Sequence, residues 1–124
     1  MVAEVILVIE DDAHIGGLVV QVLREAGFAP ALVRDVIAAR EWGNQGNRPA
    51  AVLSDLTVAG SSGPAQLPAE LSALFAGAPL ALMTGVPPRR RAALGVVHER
   101  VIEKPFELEA LIATVHSMVT ATRP

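Results

Sequence analysis

The chain has 124 residues, a hydrophobic fraction of 52%, no cysteine and a formal net charge of -3. That size fits one domain with a sizeable core. The composition argues against disorder, excludes disulfides and thiolate metal sites, and gives no broad basic surface for nucleic acid. No apolar run reaches the roughly 18 residues of a membrane span, and no basic start precedes the first apolar run as in a signal peptide. A single cytoplasmic domain over 1–124 is therefore expected, with neither membrane nor nucleic acid as a direct partner.

Val5-Ile6-Leu7-Val8-Ile9 is continuously apolar and rich in β-branched residues, the pattern of a strand covered on both faces. It stops at Glu10-Asp11-Asp12. Ile15, Leu18, Val19, Val22, Leu23 and Ala26 then recur at helical spacing, and Gly27 stands where a helix would end. Phe28 to Val33 reads as a second strand, which Pro30 assigns to a sheet edge. Asp35 is placed to cap a second helix over Val36 to Trp42. The run Gly43 to Pro49 is a loop by composition.

Ala50-Ala51-Val52-Leu53-Ser54 reads as a buried strand that delivers Asp55 at its end, followed by the loop Leu56 to Gly63. A helix lies between Pro64 and Phe75, with either Pro64 or Pro68 in its first turn and Leu67, Leu71, Leu74 and Phe75 on one face. Leu80 to Met83 is a fourth strand leading to Thr84-Gly85. Pro87-Pro88 delays any helix, leaving at most a short one over Arg89 to Leu94. Arg100 to Glu103 forms a fifth strand leading to Lys104. Glu107 begins the last helix, with Leu108, Leu111, Ile112, Val115 and Val119 toward the core.

Five alternations of strand and helix predict an α/β fold, a doubly wound five-stranded parallel sheet with helices on both faces. Ligands of such sheets bind beyond the carboxyl ends of the strands. There the order places Glu10-Asp11, Asp55, Thr84 and Lys104. Clustered carboxylates raise one another's pKa or recruit a cation. An all-oxygen site with room for water suits Mg²⁺, which would let a carboxylate act as nucleophile on a phosphoryl group. Lys104 would pair with phosphoryl charge and the Thr84 hydroxyl would donate a hydrogen bond.

Taken singly, these residues have plainer readings. An acidic pair complements a helix start, a strand-end threonine caps local backbone, and a lone lysine sits on the surface. The ordered set is what carries the site. Arg89-Arg90-Arg91 reads as a solvated helix start. His14, His98 and His116 lack metal-ligand spacing, and Trp42 reads as packing on the second helix.

With Ile6-Leu7-Val8-Ile9-Glu10-Asp11-Asp12, Asp55 and Gly63 eight residues later, Met83-Thr84-Gly85 and Lys104-Pro105-Phe106, the chain resembles the response-regulator receiver domain of two-component signalling over nearly its whole length. The resemblance implies a flavodoxin-like receiver fold in which Asp55 accepts a phosphoryl group from a histidine kinase or histidine phosphotransfer protein. It further implies Mg²⁺ held by Glu10, Asp11 and Asp55 with the Thr57 backbone carbonyl, and Thr84 and Lys104 on the phosphoryl group. A cis Lys104-Pro105 bond, slow hydrolysis of the phosphoaspartate and passage of the signal to a downstream protein are also implied. Two positions depart from the family's habit. Val101 stands where an aromatic residue is usual, and Ala59 where proline is frequent. The first motivates an alternative, a receiver-shaped binding module that works without phosphorylation. Asp55-Leu56-Thr57-Val58 is also similar to the nucleophile motif of haloacid dehalogenase-type phosphatases, but that family places its acidic pair after the nucleophile, and Glu10-Asp11 precedes it.

Overall fold

The computed structural model describes residues 2–121. Five strands and five helices alternate: β1 Val5–Ile9, α1 Ala13–Glu25, β2 Ala29–Val33, α2 Val36–Asn44, β3 Ala51–Asp55, α3 Leu67–Leu74, β4 Leu80–Thr84, α4 Pro88–Ala93, β5 Val101–Glu103 and α5 Leu108–Ala121. All strand pairs are parallel, in the order β2-β1-β3-β4-β5.

The apolar strands separate the core into two layers, because successive side chains point to opposite faces. Ile6 and Val8 of β1, with Leu53 and Met83, pack under Val19 and Leu23 of α1 and Leu111, Val115 and Met118 of α5. Leu7 and Ile9, with Val52 and Leu82, pack under Val36 and Ala39 of α2 and Leu67 and Leu71 of α3. Both faces are thus covered, as the unbroken apolar strands require.

Local sequence sets the ends of the elements. The Asp12 carboxylate accepts from the backbone N–H groups of His14 and Ile15 at 2.9 and 3.1 Å and starts α1. Gly27, at φ +96°, follows the end of α1 in a conformation that a side chain would disfavour. Asp35 accepts from Ala38 N at 2.7 Å and starts α2. Pro30 lies on β2, which pairs with β1 alone and forms one edge of the sheet. Pro68 sits in the first turn of α3, settling which proline does so. Pro88 does not delay α4 but opens it, where its missing N–H has no cost.

Three further sequence expectations are corrected. Leu18 of α1 is 45% exposed and Leu108 of α5 is 39% exposed, while Met118 is buried instead. Arg91 is not a solvated residue: its side chain is only 12% exposed and holds the loop before α4.

The order in which strands are added reverses at β1. The chain passes from it to β2 on one side and, after α2, to β3 on the other. The crevice that this switch opens lies between the carboxyl ends of β1 and β3, where Glu10 and Asp55 stand.

Candidate functional site

Strand geometry brings three acids together. Glu10 follows β1 and is 3% exposed, Asp55 ends β3 half-buried, and Asp11 is exposed. Each offers a carboxylate oxygen to a group lying within 4.8 Å of one another. Lys104, carried on the residue after β5, crosses to this cluster. Its Nζ donates to Glu10 Oε2 at 3.0 Å and to Asp55 Oδ1 at 3.1 Å. The Lys104-Pro105 bond is cis.

The remaining oxygens have distinct surroundings. Glu10 Oε1 accepts from Asp12 N at 3.2 Å. Asp55 Oδ1 also accepts from Leu56 N at 3.0 Å, whereas Oδ2 accepts no hydrogen bond among the described residues and reaches solvent. The nucleophile proposed from sequence therefore keeps one oxygen fixed and one open. The Asp12 carboxylate serves its own helix start.

One ammonium serves a buried and a half-buried carboxylate, and the pKa directions follow. Burial pushes the Glu10 carboxyl up, and the hydrogen bond from Lys104 only partly offsets this. Burial likewise pushes Asp55 up against the attraction of Lys104. Burial alone would lower Lys104, but its hydrogen bond to Glu10 and the charge of Asp55 outweigh it and hold the ammonium up.

Thr84 ends β4, 2% exposed. Its Oγ1 accepts from Val86 N at 2.9 Å, and its carbonyl accepts from Lys104 N at 2.7 Å. Its side chain lies on the neighbouring strand end but makes no hydrogen bond to Asp55 or Lys104. Thr57 is exposed in the loop after β3, and its carbonyl takes no backbone hydrogen bond among the described residues. That loop folds back on α2, where Ala59 O accepts from Val36 N at 3.1 Å. Gly60, at φ +86°, approaches Ile37 so closely that a Cβ would lie 3.1 Å from its Cγ1.

The donor set fits a small hard cation. It is all oxygen, open on the Asp11 side, and its excess negative charge is only partly met by Lys104. Beside it, Ile15, Leu18, Pro105 and Phe106 line an open apolar groove of about 380 Å³ with Lys104 at its margin. Exposed Leu18 belongs to this groove. A cleft of about 480 Å³, bordered by Arg48, Pro49 and Phe75, lies at the opposite, amino-terminal end of the strands and has no part in the cluster. Two of the histidines stay outside the site: His98 Nε2 contacts Leu80 O at 2.7 Å, and the His116 ring lies 5.0 Å from that of Phe28. Trp42 packs edge-on against Phe75. Sequence reasoning missed Arg91 and Glu103, which brace the loop beside Thr84. The only signal for Arg91 was its charge run, which does not reveal which of its members turns inward, and Glu103 read only as the end of the fifth strand.

Neither a protein-family model nor a curated protein matches this sequence. Solved structures do. A response regulator receiver protein from Sinorhizobium medicae WSM419 superposes with a TM-score of 0.81 at 24% identity over 98% of each chain. NtrX from Brucella abortus, in a complex with ATP, gives 0.81 at 25% identity; it covers 98% of this chain, which spans only 28% of NtrX. The chemotaxis response regulator CheY4 of Vibrio cholerae gives 0.73 at 20% identity over 94% of this chain and 99% of its own.

Proposed function

We propose that this chain, whose fold is that of response-regulator receiver domains, acts over 1–124 as a single phosphoacceptor receiver in two-component signalling. The observation that carries the reading is the Asp55 carboxylate, with Oδ1 held by Lys104 and Leu56 N and Oδ2 open beside Glu10 and Asp11.

In the proposed reaction, Asp55 Oδ2 attacks the phosphorus of a phosphohistidine on a kinase or phosphotransfer protein. The new O–P bond replaces the P–N bond, and the imidazole nitrogen leaves with the electron pair and is reprotonated from water. Mg²⁺, held by Glu10, Asp11, Asp55 and the Thr57 carbonyl, would neutralise charge on the transferring group. Lys104 is already beside Asp55 and would turn its ammonium to a phosphoryl oxygen. Thr84 would donate its hydroxyl proton to another. Water attack on phosphorus, with Asp55 as leaving group, would return the carboxylate and release inorganic phosphate. The apolar groove along Ile15, Leu18 and Phe106 gives a partner protein a place to dock beside the nucleophile. A cytoplasmic location belongs to the same proposal. So does an output through a downstream protein. No described helix is long and apolar enough to cross a membrane.

The test is intact mass after incubation with a small-molecule phosphodonor, with and without Mg²⁺, on wild type and Asp55→Ala. A single Mg²⁺-dependent phosphoryl adduct, absent from the variant, is expected. No adduct with this donor or with a phosphorylated histidine domain would overturn the reading in favour of a phosphorylation-independent binding module. Val101, which packs with Val86 against the α2–α3 layer in place of an aromatic residue, favours that second reading.

A further inference from the structure

Arg89 and Arg90 are exposed, but Arg91 folds back under its own helix. Its Nη1 donates to the Val86 carbonyl at 2.7 Å, and Nη2 reaches Glu103 Oε1 on β5 at 3.5 Å. The Val86 N–H in turn donates to Thr84 Oγ1 at 2.9 Å. Both backbone polar groups of Val86 are therefore engaged, one by a guanidinium and one by the threonine hydroxyl. Its side chain packs with Val101 against the α2–α3 layer. Val101 has no polar atom to reach the loop, so Arg91 and Glu103 supply a polar connection between α4 and β5 at this seam.

We propose that Arg91 is a positioning residue: by clasping Val86 it keeps the Thr84 hydroxyl engaged with its own loop, and so sets how readily that hydroxyl turns to an anion on Asp55. The inference rests on the phosphoacceptor reading and adds its regulation. In this structure Thr84 Oγ1 bonds Val86 N and neither Asp55 nor Lys104. A hydroxyl can donate while it accepts, so what opposes the turn is the swing of Oγ1 toward Asp55, which draws the Val86 N–H along by a shift of the loop or leaves it to water. Arg91 resists that shift because the Val86 carbonyl would also lose its charged donor. A clasp that stabilises only the ligand-free arrangement lowers the affinity for any ligand that requires the other one. Conversely, such a ligand loosens Arg91 from Val86 and changes the exposed surface of α4.

The probe is beryllofluoride, which forms a tetrahedral adduct on a carboxylate, titrated calorimetrically in saturating Mg²⁺. Wild type, Arg91→Ala and Glu103→Ala are compared, each alone and combined with Thr84→Val. Arg91→Ala is expected to bind about fivefold tighter, the effect of removing roughly one hydrogen bond from the ligand-free state. Glu103→Ala, which leaves the bond to Val86, is expected to move the same way by less. Both gains should vanish in the Thr84→Val background, and affinity for Mg²⁺ alone should not change. A brace with a merely structural role would not tighten binding, nor would its effect depend on the Thr84 hydroxyl. Equal or weaker binding by folded Arg91→Ala, or a gain that survives Thr84→Val, would overturn the inference and leave the phosphoacceptor reading standing. If Arg91→Ala does not fold, the Glu103→Ala pair decides by the same criteria. No binding to wild type would overturn the reading and the inference together.

Discussion

Two carboxylates sharing one ammonium form an unstable arrangement at neutral pH, and its cost falls on the fold. Glu10 and Asp55 both have folded pKa values above their ordinary 4.5 and 3.8 because burial disfavours their charge. The folded state therefore binds protons more tightly than the unfolded chain. Their contribution to stability is fully present below those ordinary values and is lost as pH rises through the folded pKa values. Asp55→Asn keeps an oxygen for Lys104 and Leu56 N while removing one charge. In a chelator at pH 7 it is expected to be more stable than wild type by about 1 kcal/mol, or several degrees in Tm. The difference should shrink toward pH 4, which thermal melts across that range would show. Lys104→Ala has the opposite sign. It strands both acids and should cost about 2–3 kcal/mol at pH 7, recovered in part by acid. Since the carboxylates hold the Lys104 ammonium up, its own contribution persists below its ordinary 10.5 and is lost only as pH rises through the higher folded value. These residues were legible in the sequence because each ends an apolar run. That Lys104 would already bridge Glu10 and Asp55 was not, since no local pattern encodes a contact across 94 or 49 positions.

Among the elements, legibility followed local chemistry. Asp35, Gly27, Pro30 and the unbroken apolar strands each had one physical use, and the structure puts each to it. Leu18 and Leu108 misled because helical spacing fixes only a stripe, and neighbouring elements decide how wide a stripe they cover. For α4 the period carried no information at all. The helix has six residues and buries none of them, so its place depends on Arg91 and on the buried Val96 after it. The same distinction between local and distant roles applies to three adjacent acids. Asp12 serves α1, Glu10 the cluster, and Asp11 solvent and any bound cation. Asp12→Ala is thus expected to cost about 1 kcal/mol and to speed amide exchange in the first turn of α1. Titration calorimetry should show its Mg²⁺ affinity close to that of wild type. A large loss of affinity would place Asp12 among the ligands instead.

At the scale of the whole molecule, the alternation of strands and helices fixed the class of fold, and the rules for parallel connections confined the order to very few arrangements. The switch at β1 then does what no single residue can. It brings the ends of strands that are 45 positions apart in sequence, Glu10 and Asp55, to one crevice. A cation there ties the ends of β1 and β3 together and stabilises the fold by an amount that grows with the logarithm of its concentration once the site is filled. Mg²⁺ at ten times its Kd should add about 1.4 kcal/mol, a rise of several degrees in Tm over the chelated protein. Asp11→Asn separates this effect from packing. Asp11 is exposed and makes no hydrogen bond among the described residues, and its charge only adds to the burden on Asp55. The chelated variant is therefore expected to melt at or slightly above wild type, with most of the Mg²⁺-dependent rise gone. If Mg²⁺ leaves wild type melting where the chelator does, the three acids do not hold it at that concentration. Lys104 would then be the cluster's sole counter-charge, and any phosphoryl transfer to Asp55 would have to proceed without the cation.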